Sequence, residues 1–305
     1  MPRIESPASP LVSRLRGLHL FHFEGAPCAQ RVRFALAEKG LRRGLEVAWR
    51  SDSEGSLTAA PGTWSSRHVS LVRKDHLTDE YAAIHPHMVV PALVQDGELW
   101  IESMDIVEHL DDVFPGPRLL PSQPSAREDA LALVEQAKEL HRSVRYVSFH
   151  WGLGRLGRIG AAKRELLRRL ERPNSPERLL EFYGRFDEGA IDLETNRAHL
   201  AALEKGFGEL EARLASDGRA FLLGSDLTVA DIPWSIKVLR LTECGYPFGR
   251  NFPALWAWFG RISARPGFRR GVMAHHGFLS QAFRAKAAVE NWLGVGLVSE
   301  ARRVA

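Results

Sequence analysis

Only two cysteines, Cys28 and Cys244, occur in 305 residues. Two cannot build a disulfide framework and no Cys/His spacing suits zinc, so no metal is expected and the chain is read as using a thiol. Long apolar runs are also missing, since nothing approaches the roughly 18 to 20 residues a bilayer span needs. The start Met1-Pro2-Arg3-Ile4-Glu5-Ser6 has no apolar signal core, which makes the cytoplasm the expected location and a membrane no expected partner. A coherent basic face is the third absence. The 41 Lys and Arg exceed the 37 Asp and Glu by a formal charge of +4, and the arginines are dispersed except around Arg155 to Arg172, so nucleic acid is not expected as a partner either.

What is present is ordinary globular material, 45% hydrophobic and 26% charged, in a chain long enough for two domains. Residues 1–16 show no clear period and read as a poorly tied N-terminal extension. Leu18 to Phe23 is a short β-type run. Glu24-Gly25-Ala26-Pro27 breaks it ahead of a helical pattern from Cys28 to Lys39. Val32, Ala35 and Leu36 share one face of that helix, Pro27 suits its first position and Gly40 the position past its end. Cys28 therefore lies in a first helical turn. Residues 42–66, with Ser51-Asp52-Ser53-Glu54-Gly55-Ser56 and Pro61-Gly62, read as an inserted loop, and the second strand is expected at His68 to Val72.

The stretch Val90-Pro91-Ala92-Leu93-Val94, then Asp96-Gly97, then Glu102-Ser103-Met104-Asp105-Ile106 spells strand, two-residue reversal, strand and helix start. A proline at the mouth of a buried strand has no N–H to give to a ladder. A cis Val90-Pro91 bond would leave the Val90 N–H and C=O facing outward to pair with an extended peptide. The helix opening at Glu102 and Ser103 would favour a carboxylate. Together they describe a site for a small acidic peptide; an ordinary turn at Pro91 and a simple cap at Ser103 are the alternative.

Val-Pro-x-Leu, Asp-Gly and Glu-Ser-x-x-Ile in this order resemble the glutathione-binding half of the cytosolic glutathione S-transferase superfamily. The resemblance implies an α/β N-terminal thioredoxin-like domain, here residues 17–111 including the 42–66 insertion, followed by an all-α C-terminal helical domain. It implies glutathione as co-substrate, with Val90 beside Pro91 pairing with the cysteinyl backbone and Glu102 and Ser103 holding the γ-glutamyl end. His87 would reach the glycyl carboxylate, where relatives often place a lysine. In the homodimer implied, Asp105 would touch glutathione across the interface. A surface-loop histidine and a helix cap are the rival accounts of His87 and Asp105.

Pro115, Pro117, Pro121 and Pro124 stiffen a linker over 112–125. From 126 to 276 the pattern is helical without a strand signal. It opens on a capping box at Ser125 and Glu128 and is interrupted at Gly152 to Gly160 and at Pro173 to Pro176; residues 277–305 form a further amphipathic helical tail. Thr228 and Asp231 make a second capping box, stapled by Leu227 and Ile232. It is similar to the buried box of the transferase helical domain, so its role is in folding, and Pro233 behind it predicts a kink. Tyr146, His150 and Trp151 are candidates for the electrophile pocket, with a packed helix face as the alternative.

A glutathione thiol titrates above neutral pH, and one hydrogen bond plus a helix N-terminus shifts a thiol by roughly one to two units. The family places a Tyr, Ser or Cys at the start of the first helix for this purpose. Ala26 stands where serine-type and omega-like members carry theirs. Cys28 falls where the bacterial tetrachlorohydroquinone dehalogenases, which look like relatives, keep a nucleophilic cysteine and where the zeta-type maleylacetoacetate isomerases also have one. Three roles stay open for Cys28. It stabilises the glutathione thiolate, or attacks a glutathionyl adduct with its own thiolate favoured by Arg31 and the helix N-terminus, or packs as a small hydrophobe. The function expected is a glutathione S-transferase that directs the thiolate at an electrophilic carbon of a small hydrophobic, aromatic-type substrate. A glutathione-dependent thiol reductase or reductive dehalogenase acting through Cys28, and a non-catalytic glutathione-binding protein, are the alternatives.

Overall fold

Every residue of Leu18-His19-Leu20-Phe21-His22 is buried, which places this strand inside a sheet with both faces covered. The computed structural model describes residues 3–153, 157–171, 175 and 177–301. It divides into two units, Met1–Phe114 with Leu156–Ala190, and Pro115–Arg155 with Ile191–Ala305. Residues 156–190, read from the sequence as part of the helical half, group with the first unit.

The first unit runs β1 (Arg3–Ile4), α1 (Pro10–Arg14), β2 (Leu18–His22), α2 (Pro27–Glu38), β3 (Arg42–Ala48), β4 (Thr63–His68), α3 (Asp79–Ala82), β5 (Ala92–Gln95), β6 (Glu98–Trp100) and α4 (Ser103–Val113). Its six strands form one sheet in the order β1-β6-β5-β2-β4-β3. β2 is parallel to β4 and antiparallel to β5, and β5 turns back into β6. The inner four strands with α2 and α4 are the thioredoxin-like arrangement, and the outer two are additions. Asp96 and Gly97 both have positive φ, 51° and 87°, as a two-residue reversal requires, and Asp96 Oδ1 accepts the Gly17 N–H at 2.8 Å.

Three sequence expectations are corrected here. The first is the loop at 42–66, which contains β3 and most of β4, so the second strand ends at His68 instead of beginning there. β3 lies at the sheet edge and exposes most of its side chains, so it lacks an alternating apolar face. β4 buries Ser65, Ser66 and Arg67, a polar interior that hydrophobic patterning cannot reveal. The second correction concerns the N-terminal extension, which is tied at both ends. β1 pairs with β6, while Val12 and Leu15 are fully buried in the core shared by Phe21, Tyr81 and Val94. The third is the capping box at Ser125. The helix there begins at Pro124, with Gln123 in the capping position making no side-chain bond.

The helices that follow are α5 (Pro124–Glu139), α6 (His141–Val147), α7 (Ala161–Leu170), α8 (Leu179–Glu188), α9 (Leu193–Asp217), α10 (Asp231–Glu243), α11 (Phe248–Asn251), α12 (Pro253–Ala264), α13 (Pro266–Phe268), α14 (Gly277–Trp292) and α15 (Leu297–Ala301). The interruptions expected at 152–160 and 173–176 fall partly outside the described residues, as do the ends of the chain at 1–2 and 302–305. Among the described residues no helix is long and apolar enough to cross a membrane, and no group of His, Cys, Asp or Glu could hold a metal ion.

α7 and α8 dock on the first unit, where Lys163 Nζ donates to the Leu77 carbonyl at 2.7 Å and Arg169 pairs with Asp79. The second unit is organised by Asp231, fully buried at the start of α10. Its carboxylate accepts from the N–H of Leu222 (3.0 Å), the N–H and Oγ1 of Thr228 (2.8 and 3.0 Å) and Nε1 of Trp258 (2.9 Å). Burial pushes this carboxyl up and the four donors oppose the push. Pro233 is the third residue of α10, where an N–H has no partner within the helix, so the proline is accommodated in the first turn. Replacing the shared acceptor would strand four donors. Asp231→Ala is expected to lower stability by about 3 kcal/mol, read as an earlier denaturant midpoint by tryptophan fluorescence; an unchanged midpoint would contradict this role.

Candidate active site

The turn Phe23 to Ala26 carries the chain from the central strand into α2, and it is locked from behind. Arg33, one side of α2, is buried and donates to the carbonyls of Phe23 (3.2 Å) and Glu24 (2.8 Å) and to Nδ1 of His22 (3.1 Å). Glu24 balances it, with its carboxylate 3.4 Å from Arg33 and 2.7 Å from Arg43. Burial lowers Arg33 to about 10, which still leaves it charged at neutral pH. The turn is thus fixed by charge-assisted bonds to its own main chain.

Ala26 caps α2 with no side-chain hydrogen bond, and its carbonyl accepts the Gln30 N–H at 3.0 Å. A methyl group therefore occupies the position where the family resemblance looks for a hydroxyl. Cys28 is half-buried in the first turn. Ser103, the first residue of α4, hydrogen-bonds its sulfur, and Arg31 Nη1 donates to Ser103 Oγ at 3.2 Å. The structure so brings Cys28, Arg31, Glu102 and Ser103 together. Burial is the largest influence on the Cys28 thiol and pushes it up; Arg31 and the Ser103 bond pull it down, while Glu177 and Glu102 push it further up. The expectation that Arg31 and the helix N-terminus favour the thiolate is overtaken by desolvation. Glu177, on the segment leading into α8, lies about 150 residues away in sequence and could not be paired with Cys28 by spacing.

The Val90-Pro91 bond is cis. Val90 is 6% exposed and shares a hydrophobic core with Ala26, Ala29, Tyr81 and Ala92. Among the described residues its N–H and C=O make no hydrogen bond, although buried main-chain groups are almost always paired. Glu102 precedes α4 with φ of 65°, a left-handed conformation that is uncommon for a residue with a side chain. Ser103 is buried and opens the 11-residue α4, so the start of this helix lies beside Arg31, which donates to Ser103 Oγ.

The other candidates are placed as follows. His87 is half-buried and its N–H donates to Nδ1 of His85 at 3.3 Å. Tyr146, His150 and Trp151 lie in the second unit. Tyr146 is buried against His199, ring centroids 4.0 Å apart. Trp151 is also buried, with its carbonyl accepting from Lys286 Nζ at 3.1 Å. His150 is exposed and 3.3 Å from the Asn196 side-chain amide. Tyr146 and Trp151 thus occupy packed positions. Cys244 is buried and its thiol is pushed up to about 12 by burial, which suits an inert packing residue.

A thioredoxin-like sheet, a cis-proline turn with open main chain beside it and a helix opening on serine lie together in the first unit. Residues 20–118 match the family model for the glutathione S-transferase N-terminal domain, and residues 167–261 match that for its C-terminal domain. The chain belongs to the glutathione S-transferase family, glutathione-dependent enzymes with glutathione as co-substrate. It is 25% identical over 232 residues to a probable maleylacetoacetate isomerase of Vibrio cholerae, covering 73% of this chain and 92% of that protein. It is 26% identical over 294 residues to a 2,5-dichlorohydroquinone reductive dechlorinase of Sphingobium indicum, covering 83% and 82% of the two chains. In fold it is similar to the beta-etherase LigF of Sphingobium sp. strain SYK-6, with a TM-score of 0.66 and 23% identity over 83% of this chain and 97% of that one.

Because burial outweighs Arg31, alkylation of Cys28 should titrate above the ordinary thiol range near about 8.5. Arg31→Ala should move it higher still, since a charge that favours the thiolate is removed. Mass-spectrometric pH profiles of carboxamidomethylation at this cysteine would show it, and an inflection on the acid side of that range would contradict the electrostatic account.

Proposed function

We propose that the chain binds reduced glutathione in the first unit and directs its sulfur at an electrophilic carbon of a small hydrophobic substrate. The observation that carries this reading is the pair of unpaired, buried main-chain groups of Val90. They present a donor and an acceptor to an extended peptide backbone, as in the addition of a strand to a sheet edge. The cysteinyl residue of glutathione takes this place, and its γ-glutamyl carboxylate lies at Glu102 and Ser103, where the helix N-terminus and the Arg31 guanidinium both favour negative charge. His87 is the group offered to the glycyl end.

In the chemical step the glutathione thiol gives up its proton, its sulfur bonds to carbon and the leaving group departs with the bonding pair. Ala26 contributes no hydroxyl to this thiolate. Cys28, kept as a thiol by burial, is suited to donate its S–H to the neighbouring sulfur, a role that needs no thiolate of its own. A cytoplasmic setting fits two cysteines that form no disulfide, and the assembly is a homodimer.

A second reading is favoured by the relative named a reductive dechlorinase. In it the Cys28 sulfur bonds to the sulfur of a glutathionyl adduct, the carbon leaves and takes a proton, and a second glutathione resolves the mixed disulfide. Calorimetry with reduced glutathione and turnover of an activated aryl chloride separate the readings. Uptake is expected, weakened about tenfold in Ser103→Ala by the lost hydrogen bond. Conjugation should persist in Cys28→Ser. Absence of uptake by folded protein would overturn the proposal, and loss of conjugation in Cys28→Ser would transfer it to the nucleophilic cysteine.

A further inference from the structure

The insertion beside the site ends in an arrangement that reaches the Val90 main chain through two aromatic side chains. Arg67 on β4 is fully buried. Its guanidinium donates to the carbonyls of Trp49 (3.2 Å), Ser51 (2.7 Å) and Ser56 (2.6 Å) and to Nδ1 of His19 (3.2 Å). One side chain thus gathers three carbonyls of the segment after β3. Burial lowers Arg67 to about 10, so it remains a cation at neutral pH.

Held in this way, Trp49 meets Tyr81 edge-on, with ring centroids 5.4 Å apart and planes at 87°. Both are buried, and both belong to the core that includes Val90. Tyr81 in turn donates its hydroxyl to the Val89 carbonyl at 2.9 Å. Burial pushes the phenol far above its usual range, so it stays a neutral donor at any working pH.

The Val89 C=O and the Val90 N–H belong to one peptide plane. That bond is trans, since among the described residues the cis bond is Val90-Pro91, and in a trans plane C=O and N–H point in opposite directions. A carbonyl drawn inward to a buried hydroxyl therefore aims the Val90 N–H outward. We propose that Tyr81, braced by Trp49 of the insertion, is a positioning residue for glutathione: its hydroxyl sets the direction of the Val90 N–H that meets the cysteinyl backbone. The inserted segment then acts on ligand affinity without touching the ligand. This inference rests on the glutathione site proposed above.

Tyr81→Phe removes the hydroxyl and leaves the ring against Trp49. The expected result is a dissociation constant for reduced glutathione raised about five- to tenfold, the scale of one hydrogen bond. The thermal midpoint should fall by no more than the few degrees that one orphaned carbonyl costs, and the Val90 amide resonance should move in the unliganded protein. Trp49→Leu should weaken glutathione in the same direction, and the double variant should be no weaker than Tyr81→Phe alone, because both act on one bond. If wild type binds glutathione and Tyr81→Phe binds it equally, with the Val90 resonance unmoved, this inference is overturned while the site stands. If wild type takes up none, the site itself falls first. Should Tyr81→Phe not fold, Trp49→Leu carries the same test, and unchanged affinity there is the overturning result.

Discussion

A buried guanidinium in the middle of a parallel strand pair is the constraint around which the first unit is arranged. Arg67 sits on β4, next to the central strand, where an unpaired cation would be prohibitively costly. Its charge is tolerable because three main-chain carbonyls and one imidazole nitrogen converge on it. Those carbonyls all come from the segment that departs from β3. The fold of that segment is thus dictated by what the cation needs, and the insertion is bound to the sheet from inside. On the opposite face of the same strand, Ser66 Oγ receives Arg43 and meets Nε2 of His22, both at 2.8 Å. A polar interior on both faces of β4 replaces the aliphatic packing that a parallel strand usually relies on.

The same economy governs the turn into α2. Arg33 and Glu24 bring two charges together behind the turn, where Arg33 is satisfied by Glu24 and the carbonyls of the turn, and Glu24 by Arg33 and Arg43. Truncating Glu24 would leave the buried Arg33 as an uncompensated charge, whereas without Arg33 the Glu24 carboxylate would keep Arg43. The geometry of Ala26 and Cys28 is consequently inherited from groups behind the site. Around the Cys28 sulfur the balance differs. Burial, with two acids beside it, opposes one guanidinium and one hydroxyl, and burial prevails. A thiol so placed suits the donor role proposed for Cys28 better than that of a nucleophile.

The legible parts of the sequence were those in which a residue type is demanded by backbone geometry. Pro27 and Gly40 bounded α2, Asp96 and Gly97 made the β5–β6 reversal, Ser103 opened α4, and Asp231 closed a box on Thr228. Each follows from a fixed φ, a missing donor or an orphan N–H, so local sequence suffices. β3 and β4 were unreadable because one is a solvated edge and the other hides serine and arginine where aliphatics are looked for. The docking of residues 3–15 was missed for a different reason, since two residues of strand and five of helix carry too short a pattern to register. Glu177 and Tyr81 owe their places to tertiary contacts, and no spacing rule connects them with Cys28 or Val89.

A site read through main-chain groups has a peculiar relation to its sequence. Val90 offers an N–H and a C=O that every residue but proline possesses, so its own side chain can vary without altering the offer; what must be kept are the neighbours that hold the peptide plane. Pro91, having no N–H, cannot compete for the same acceptor, and Tyr81 takes the Val89 carbonyl out of competition from the other side. In the site proposed here, recognition of the ligand backbone is thereby separated from recognition of the electrophile. The first depends on the buried frame of the sheet, the second on side chains free to diverge.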